Sequence, residues 1–367
     1  MYYKEFKGKN ISKLGLGCMR FPLIEGSENE IDREKAAEII EKAIRAGINY
    51  FDTAFVYQDG DSERVLGEIL SGYPRDSYFL TTKYYEGMGL TIGEMFEKQL
   101  RSCKTDYFDF YLLHSVNKRH MPGLMQEENF EFLLRQKEKG TIRNIGFSSH
   151  AAPEDLERFL SWHDEFDMAM IQLNYFDWDF LDAKRQYEIL TEHGLPVWVM
   201  EPLKGGRLAT LNPEAEGILH EAKPESSVAS WSFRFLMGLP NVQTVLSGMS
   251  LDAMEDNLNT FACESPLSEK EYQTLMQAKD AFRKDIGVPC SACRYCCKTC
   301  PMGLDIPLLI RGYNEWKLSG GTWRIPELDE TKGPENCLHC GVCLKHCPQG
   351  IPIPDVMRAY EKLKTRQ

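Results

Sequence analysis

Nine of the twelve cysteines in this 367-residue chain fall between Cys290 and Cys347, and eight of them form two copies of one spacing. The first copy is Cys290, Cys293, Cys296 and Cys300, followed by Pro301. The second is Cys337, Cys340, Cys343 and Cys347, followed by Pro348. Both read C-x2-C-x2-C-x3-C-P. Three thiolates on one tight loop reach three irons of a cubane, while the fourth points away toward a second cluster. The spacing therefore predicts two [4Fe–4S] clusters. One is held by Cys290, Cys293, Cys296 and Cys347, the other by Cys337, Cys340, Cys343 and Cys300, and Cys297 is surplus. Paired C-x2-C elements also build four-cysteine zinc sites, but those need only two cysteines per knuckle. Two identical runs of four favour iron and sulfide. A disulfide framework needs an oxidising compartment, and Met1–Asn10 lacks the charged-then-apolar pattern of an export signal.

The crowding of cysteines marks a domain boundary, with residues 1–280 and 281–367 as the expected domains. The first region alternates short apolar strands with amphipathic helices. The expected strands are Ser12–Cys18, Ile48–Thr53, Tyr78–Lys83, Phe108–His114, Asn144–Ser148, Met168–Asn174, Val197–Glu201 and Val242–Gly248. Most are apolar on both faces, as buried parallel strands are. Between them lie helical stripes, such as Ala36, Ile39, Ile40, Ala43 and Ile44 before a stop at Gly47. Eight strands each followed by a helix predict an α/β fold of the (β/α)8 TIM-barrel kind. A doubly wound open sheet is the alternative, weakened because no G-x-G-x-x-G follows the first strand. In the second region, Ile306–Trp316 and Pro354–Lys364 read as helices. The formal charge of −12 argues against a nucleic-acid partner. No apolar run reaches the roughly eighteen residues of a membrane helix. A cytoplasmic protein is expected.

Four polar residues stand at or just beyond expected strand ends: Asp52, Tyr57, Lys83 and His114. The C-terminal ends of barrel strands form the active face. A buried Lys83 would gain a partner in Asp52. Its ammonium would favour the phenolate of Tyr57 and lower that pKa. Tyr57 would then give a proton to a carbonyl oxygen as hydride reaches the carbon, with His114 orienting the carbonyl or relaying the proton.

In this order and spacing, with the stretch Phe51-Asp52-Thr53-Ala54 and Tyr57, residues 10–262 resemble the aldo/keto reductase family, whose Asp–Tyr–Lys–His tetrad fits these positions. The segment after Cys300 resembles the alpha-helical type of ferredoxin, and the whole resembles aldo/keto reductases with a C-terminal ferredoxin-like domain. The resemblance implies NAD(P)H contacts. Ser148 and Ser149 fall in the segment that holds the nicotinamide amide, with Ser149 where the family has Asn, and Gln172 matches the amide-binding glutamine. Pro202, Leu203, Gly205, Gly206 and Leu208 lie in the loop over the pyrophosphate. Ser247, Gly248, Met249, Ser250 and Asn257 lie around the adenosine phosphate. Met200 replaces an aromatic residue that stacks on nicotinamide, and Ala253 replaces an Arg that grips the 2′-phosphate. That Arg would be the natural bidentate partner.

The expected function is carbonyl or alcohol redox chemistry on a small molecule with NAD(P)H, coupled to electron transfer through the clusters. A redox partner protein such as ferredoxin is implied. Two alternatives remain open: a flavin- or ferredoxin-linked reductase that does not use nicotinamide, with a flavin in the barrel mouth, and an electron carrier with a non-catalytic barrel.

Overall fold

The computed structural model describes residues 1–27, 29–288, 290, 294, 296–322, 325–347 and 350–365, with the side chains of 284–286 and 326 left aside. Cys293 and Pro348, named above, lie outside the described residues. The chain divides into two compact units. One comprises Met1–Leu203 and Glu225–Gln273, the other Lys204–Pro224 and Thr274–Gln367. The division by contacts thus runs through other residues than the compositional boundary at 280/281.

The first unit opens with an antiparallel hairpin, β1 (Tyr3–Phe6) and β2 (Lys9–Ser12). Its two turn residues, Lys7 and Gly8, both have positive φ, matching the twist of tight hairpins. Eight parallel strands follow: β3 (Leu14–Gly17), β4 (Tyr50–Asp52), β5 (Phe79–Tyr84), β6 (Phe108–Val116), β7 (Ile142–Ser149), β8 (Met168–Gln172), β9 (Val197–Met200) and β10 (Val242–Ser247). They close in the order β10-β3-β4-β5-β6-β7-β8-β9. The expected barrel is therefore present, and each expected strand overlaps one of the eight. The first begins later than expected, because Ser12 ends the hairpin and Cys18 opens a short turn, Cys18–Arg20.

The hairpin is a feature that the sequence reading missed. Phe6 and Ile11 join a buried cluster with Tyr50, Phe110, Leu112, Met168, Met170, Trp198 and Leu246. The Phe6 ring meets Trp198 edge-on at 5.3 Å and Phe110 at 5.6 Å. This aromatic plug fills the barrel's lower interior. Strand alternation then decides what stands above it. The inward series Tyr50–Asp52, Phe110–Leu112–His114, Met168–Met170–Gln172 and Trp198–Met200 are apolar below and end in polar residues or Met200. The outer helices pack closely. A Cβ on Gly67, in the helix Asp61–Leu70, would lie 2.3 Å from the Ser102 carbonyl oxygen.

The second unit contains helices and turns and no strand among the described residues. The helices Ile306–Ser319 and Ile353–Lys364 bury Ile306, Leu309, Ile310, Ile353, Val356, Met357 and Tyr360 around Cys296 and Cys343. Asp305 caps the first by accepting the Leu308 N–H. Buried Asn314 accepts from the Val288 N–H at 2.8 Å and donates to the Val288 carbonyl at 2.9 Å. Lys204 and Glu315, both almost fully buried, form an ion pair at 3.0 Å. That pair ties the segment Lys204–Pro224 to this unit. No helix among the described residues is long and apolar enough to cross a membrane.

Candidate active site and cluster cavity

At the C-terminal end of the barrel the structure brings Asp52, Tyr57, Lys83 and His114 together. Lys83 Nζ lies 2.7 Å from Asp52 Oδ1, 2.6 Å from the Thr53 carbonyl oxygen and 3.4 Å from the Tyr57 hydroxyl. Register explains this: Asp52 pairs with Thr81, so Lys83 stands two residues higher on the adjacent strand and on the same inward face. Tyr57 is carried by a turn in which Gln58, Asp59 and Gly60 all have positive φ. A left-handed residue other than Gly costs roughly 1–2 kcal/mol. Gln58 donates to the Met19 carbonyl and Asp59 accepts from Asn29, and these bonds hold the turn. The His114 ring meets Tyr57 edge-on at 6.0 Å. Ser115, with φ of 62°, and a register shift between Leu113 and Val116 mark a bulge directly after His114.

The electrostatics follow from burial and the ammonium. Burial alone would lower Lys83, but Asp52 and Tyr57 outweigh it and hold the amine above its ordinary value, charged. Burial pushes the Asp52 carboxyl up and Lys83 opposes it. The 2.7 Å contact and the strongly basic amine argue for an ionised pair. Burial also raises the Tyr57 phenol, and the pull of Lys83 does not reverse it. This corrects the expectation of a lowered phenol: desolvation outweighs the neighbouring cation. Burial, then Lys83, holds His114 well below its ordinary value, so the imidazole is neutral. Among the described residues, its Nδ1 and the buried Asp52 Oδ2 find no hydrogen-bond partner.

A second polar layer was not legible in the sequence. Buried Glu63 accepts from Thr82 Oγ1 at 2.6 Å and Gln99 Nε2 at 2.8 Å. Gln99 also donates to the Lys83 carbonyl oxygen at 2.9 Å and accepts from the Tyr111 hydroxyl at 2.6 Å. Burial pushes Glu63 up to about 7. Beside His114 stands Tyr85, which also packs against His120, and His120 Nδ1 lies 3.1 Å from Glu86. Scattered along stretches of ordinary composition, these groups carry no spacing signal.

The residues expected around a dinucleotide lie at the ends of β7 to β10 and beyond. Ser148 Oγ accepts from the Ser115 N–H, and Ser149 Oγ accepts from the Ala151 N–H. Gln172 donates to buried Asp177 at 2.8 Å, so one of its amide hydrogens is already engaged. The Pro202 carbonyl accepts from Ser232. Asn257 donates to Ser247 at 3.3 Å, Gly248 and buried Met249 follow that strand, and Ser250 caps the helix Leu251–Thr260. Leu203 ends the first segment of the first unit, whereas Gly205, Gly206 and buried Leu208 belong to the second unit. Gly205 and Gly206 both have positive φ.

In the second unit, Cys300, Cys337, Cys340 and Cys343 line one apolar cavity, with Leu338, Val342 and Met357 among its walls. The thiols of Cys337, Cys340 and Cys300 all act electrostatically on buried Cys343. Among the described residues no three metal-ligand side chains grip one bare ion; these four surround a space instead. Four soft thiols around an apolar cavity suit an iron–sulfur cubane, and this set mixes three cysteines of the second run with the fourth of the first. Around Cys296 lie Cys297 and Cys290, while Cys347 packs at the edge of the same core.

Comparison with known proteins agrees with this architecture. Residues 13–280 match the model of the aldo/keto reductase family, and residues 289–351 match that of a 4Fe-4S dicluster domain. The uncharacterized oxidoreductase YqkF of Bacillus subtilis is 28% identical over 303 residues, covering 72% of this chain and 92% of that protein. The holo form of an aldo-keto reductase from Bacillus halodurans superposes with a TM-score of 0.62 at 24% identity, over 76% of this chain and 96% of that one. An aldo-keto reductase from Klebsiella pneumoniae in complex with NADPH does so with a TM-score of 0.57 at 21% identity, over 75% and 93%. A closed eight-stranded barrel and a family match across most of its length leave one conclusion: the chain is an oxidoreductase that belongs to the aldo/keto reductase family and carries a C-terminal 4Fe-4S dicluster domain.

Proposed function

We propose that the barrel reduces a carbonyl, or oxidises the corresponding alcohol, with Tyr57 as proton donor and acceptor, and exchanges electrons with two [4Fe–4S] clusters. The observation that carries this reading is the buried Lys83, charged, between Asp52 and the Tyr57 hydroxyl. A nicotinamide, when bound, supplies or accepts hydride. This chain's residues do the rest. Tyr57 keeps its proton at neutral pH because its pKa lies above the ordinary value, so it is loaded as an acid. As negative charge grows on the carbonyl oxygen, the proton passes from Tyr57, and Lys83 stabilises the phenolate left behind. Neutral His114 hydrogen-bonds the same oxygen. Asp52 keeps Lys83 charged and in place.

Ser148, Ser149 and Gln172 would hold the nicotinamide end. Pro202, Leu203, Gly205, Gly206 and Leu208 would hold the pyrophosphate, and Ser247, Gly248, Met249, Ser250 and Asn257 the adenosine end. Both NADPH and NADH remain candidates, since Ala253 stands where an Arg would select the 2′-phosphate. The eight motif cysteines, Cys293 included, would hold the clusters in the crossed arrangement. Hydride moves two electrons and each cluster one, so the pair matches one turnover. Thiolates that must stay reduced suit a cytoplasmic setting.

Two observations favour a second reading, in which a flavin replaces the nicotinamide: Gln172 is engaged by Asp177, and Met200 offers no ring for stacking. The test is Tyr57→Phe. Carbonyl reduction should fall by about 10²- to 10⁴-fold with dinucleotide affinity kept. Survival of turnover in that variant would sink the tetrad mechanism. Flavin released from the purified protein would favour the second reading.

A further inference from the structure

Seven large apolar side chains are exposed among the described residues, and three of them, Leu338 at 62%, Val342 at 38% and Leu344 at 46%, fall within one short loop. That loop also carries Cys340, an exposed thiol among the four that line the cavity. Leu338 and Val342 line that cavity as well, so only a thin apolar wall separates it from solvent. The loop is anchored: His339, with φ of 51°, holds the Pro354 carbonyl through Nδ1 at 3.1 Å.

Charge singles out the same place. The chain as a whole carries 55 acidic against 43 basic residues, but residues 281–367 carry 13 Lys and Arg against 9 Asp and Glu. Residues 336–354 contain no Asp or Glu, while Lys345 and His346 are exposed there. The nearest flanking carboxylates are ion-paired, Glu335 with Lys364 at 3.5 Å and Asp355 with Arg358 at 3.0 Å. A cubane with four thiolates is anionic and would itself repel carboxylates, which accounts for their absence. It does not account for three exposed leucine- and valine-type side chains, which burial would favour over exposure.

We propose that the rim formed by Leu338, Val342, Leu344 and Lys345 around Cys340 is the docking site of an acidic one-electron carrier protein. The inference rests on the cluster reading above. The apolar residues supply the small dry centre of a transient electron-transfer encounter, which buries less than about 1,200 Å². Lys345 steers the carrier's carboxylates, so the effect lies mainly in the association rate. One electron passes between the carrier's reduced group and the cluster behind Cys340; the carrier is oxidised, the cluster is reduced, and no bond forms or breaks.

The experiment uses the cluster-loaded full chain without oxygen, with iron and sulfide assayed first. Fully reduced flavodoxin, an acidic carrier, serves as the probe. Cluster reduction is followed by stopped flow and binding by calorimetry. Lys345→Glu and Leu344→Ser should each slow reduction by flavodoxin and weaken its binding on the order of tenfold, since charge at a rim acts on association and apolar contact on residence. Reduction by dithionite and the iron content should stay unchanged, and added salt should slow the wild type but not Lys345→Glu. Wild-type rates and binding in both variants, with clusters intact, overturn the docking site alone. Concentration-dependent self-association through this face also overturns it, in favour of a second copy. A wild-type protein without reducible clusters overturns the cluster reading, and this proposal with it.

Discussion

Replacing Lys83 by Met separates what the buried ammonium does for stability from what it does for chemistry. The amine is 1% exposed and the Asp52 carboxylate 5%, and they meet at 2.7 Å. Without the amine, Asp52 keeps a buried charge whose second oxygen already lacks a partner among the described residues. Removing one member of such a pair costs about 3–5 kcal/mol. For a domain of this size each kcal/mol shifts the melting temperature by roughly 2–4 °C, so Lys83→Met should melt about 6–20 °C lower. Asp52→Asn combined with Lys83→Met removes both charges and should recover most of that loss. Activity should not recover. At 3.4 Å and an effective dielectric of about 20, the ammonium stabilises a Tyr57 phenolate by about 5 kcal/mol, and the double variant lacks it as fully as the single one. The assay is anaerobic circular-dichroism melting beside steady-state carbonyl reduction. A double variant as unstable as the single would refute the orphaned-charge argument. A single variant within a few-fold of wild-type turnover would refute the role given to Lys83.

Glu63 makes a pH prediction of the unusual sign. Its folded carboxyl is raised from 4.5 to about 7, so the native state binds the extra proton and stability falls as pH rises through that window. A rise of that size corresponds to about 3 kcal/mol; Glu63→Gln should lose that pH dependence, and the gap between its melting temperature and that of the wild type should move in its favour between mildly acidic and mildly alkaline solution. Glu315→Ala removes the carboxylate beside buried Lys204 and should destabilise the second unit by about 3–5 kcal/mol, read as earlier loss of the clusters' visible absorbance on heating. Gly67→Ala drives a Cβ onto the Ser102 and Cys103 backbone, which cannot swing aside as a side chain can; destabilisation of about 1–3 kcal/mol is expected, with the catalytic constants of the folded fraction unchanged.

The barrel was legible because its strands are buried on both faces and its helices on one, and those two periods survive in a single sequence. The polar strand ends at Asp52, Lys83 and His114 were legible for the same reason: polar residues at the ends of apolar runs interrupt the pattern. Cysteine spacing carried further still, because three thiolates within seven residues admit few geometries. Long-range packing was not legible. The Phe6–Ile11 hairpin reads as a polar terminus until the barrel supplies the aromatic floor that covers it. Glu63 and Gln99, 36 residues apart, look like ordinary exposed helix residues. Lys204 beside two glycines reads as a solvated loop, and only the fold buries it against Glu315, far along the chain.

The sequence by itself determined the fold class and the family, and it supplied the motif positions and the cysteine spacing on which the proposed site and the proposed iron donors rest, since each depends on local periodicity or spacing. Only the tertiary structure decided the protonation of the site and the company its residues keep. Desolvation depends on everything that surrounds a group, and it is desolvation that raises Tyr57 against the pull of Lys83, neutralises His114 and lifts Glu63.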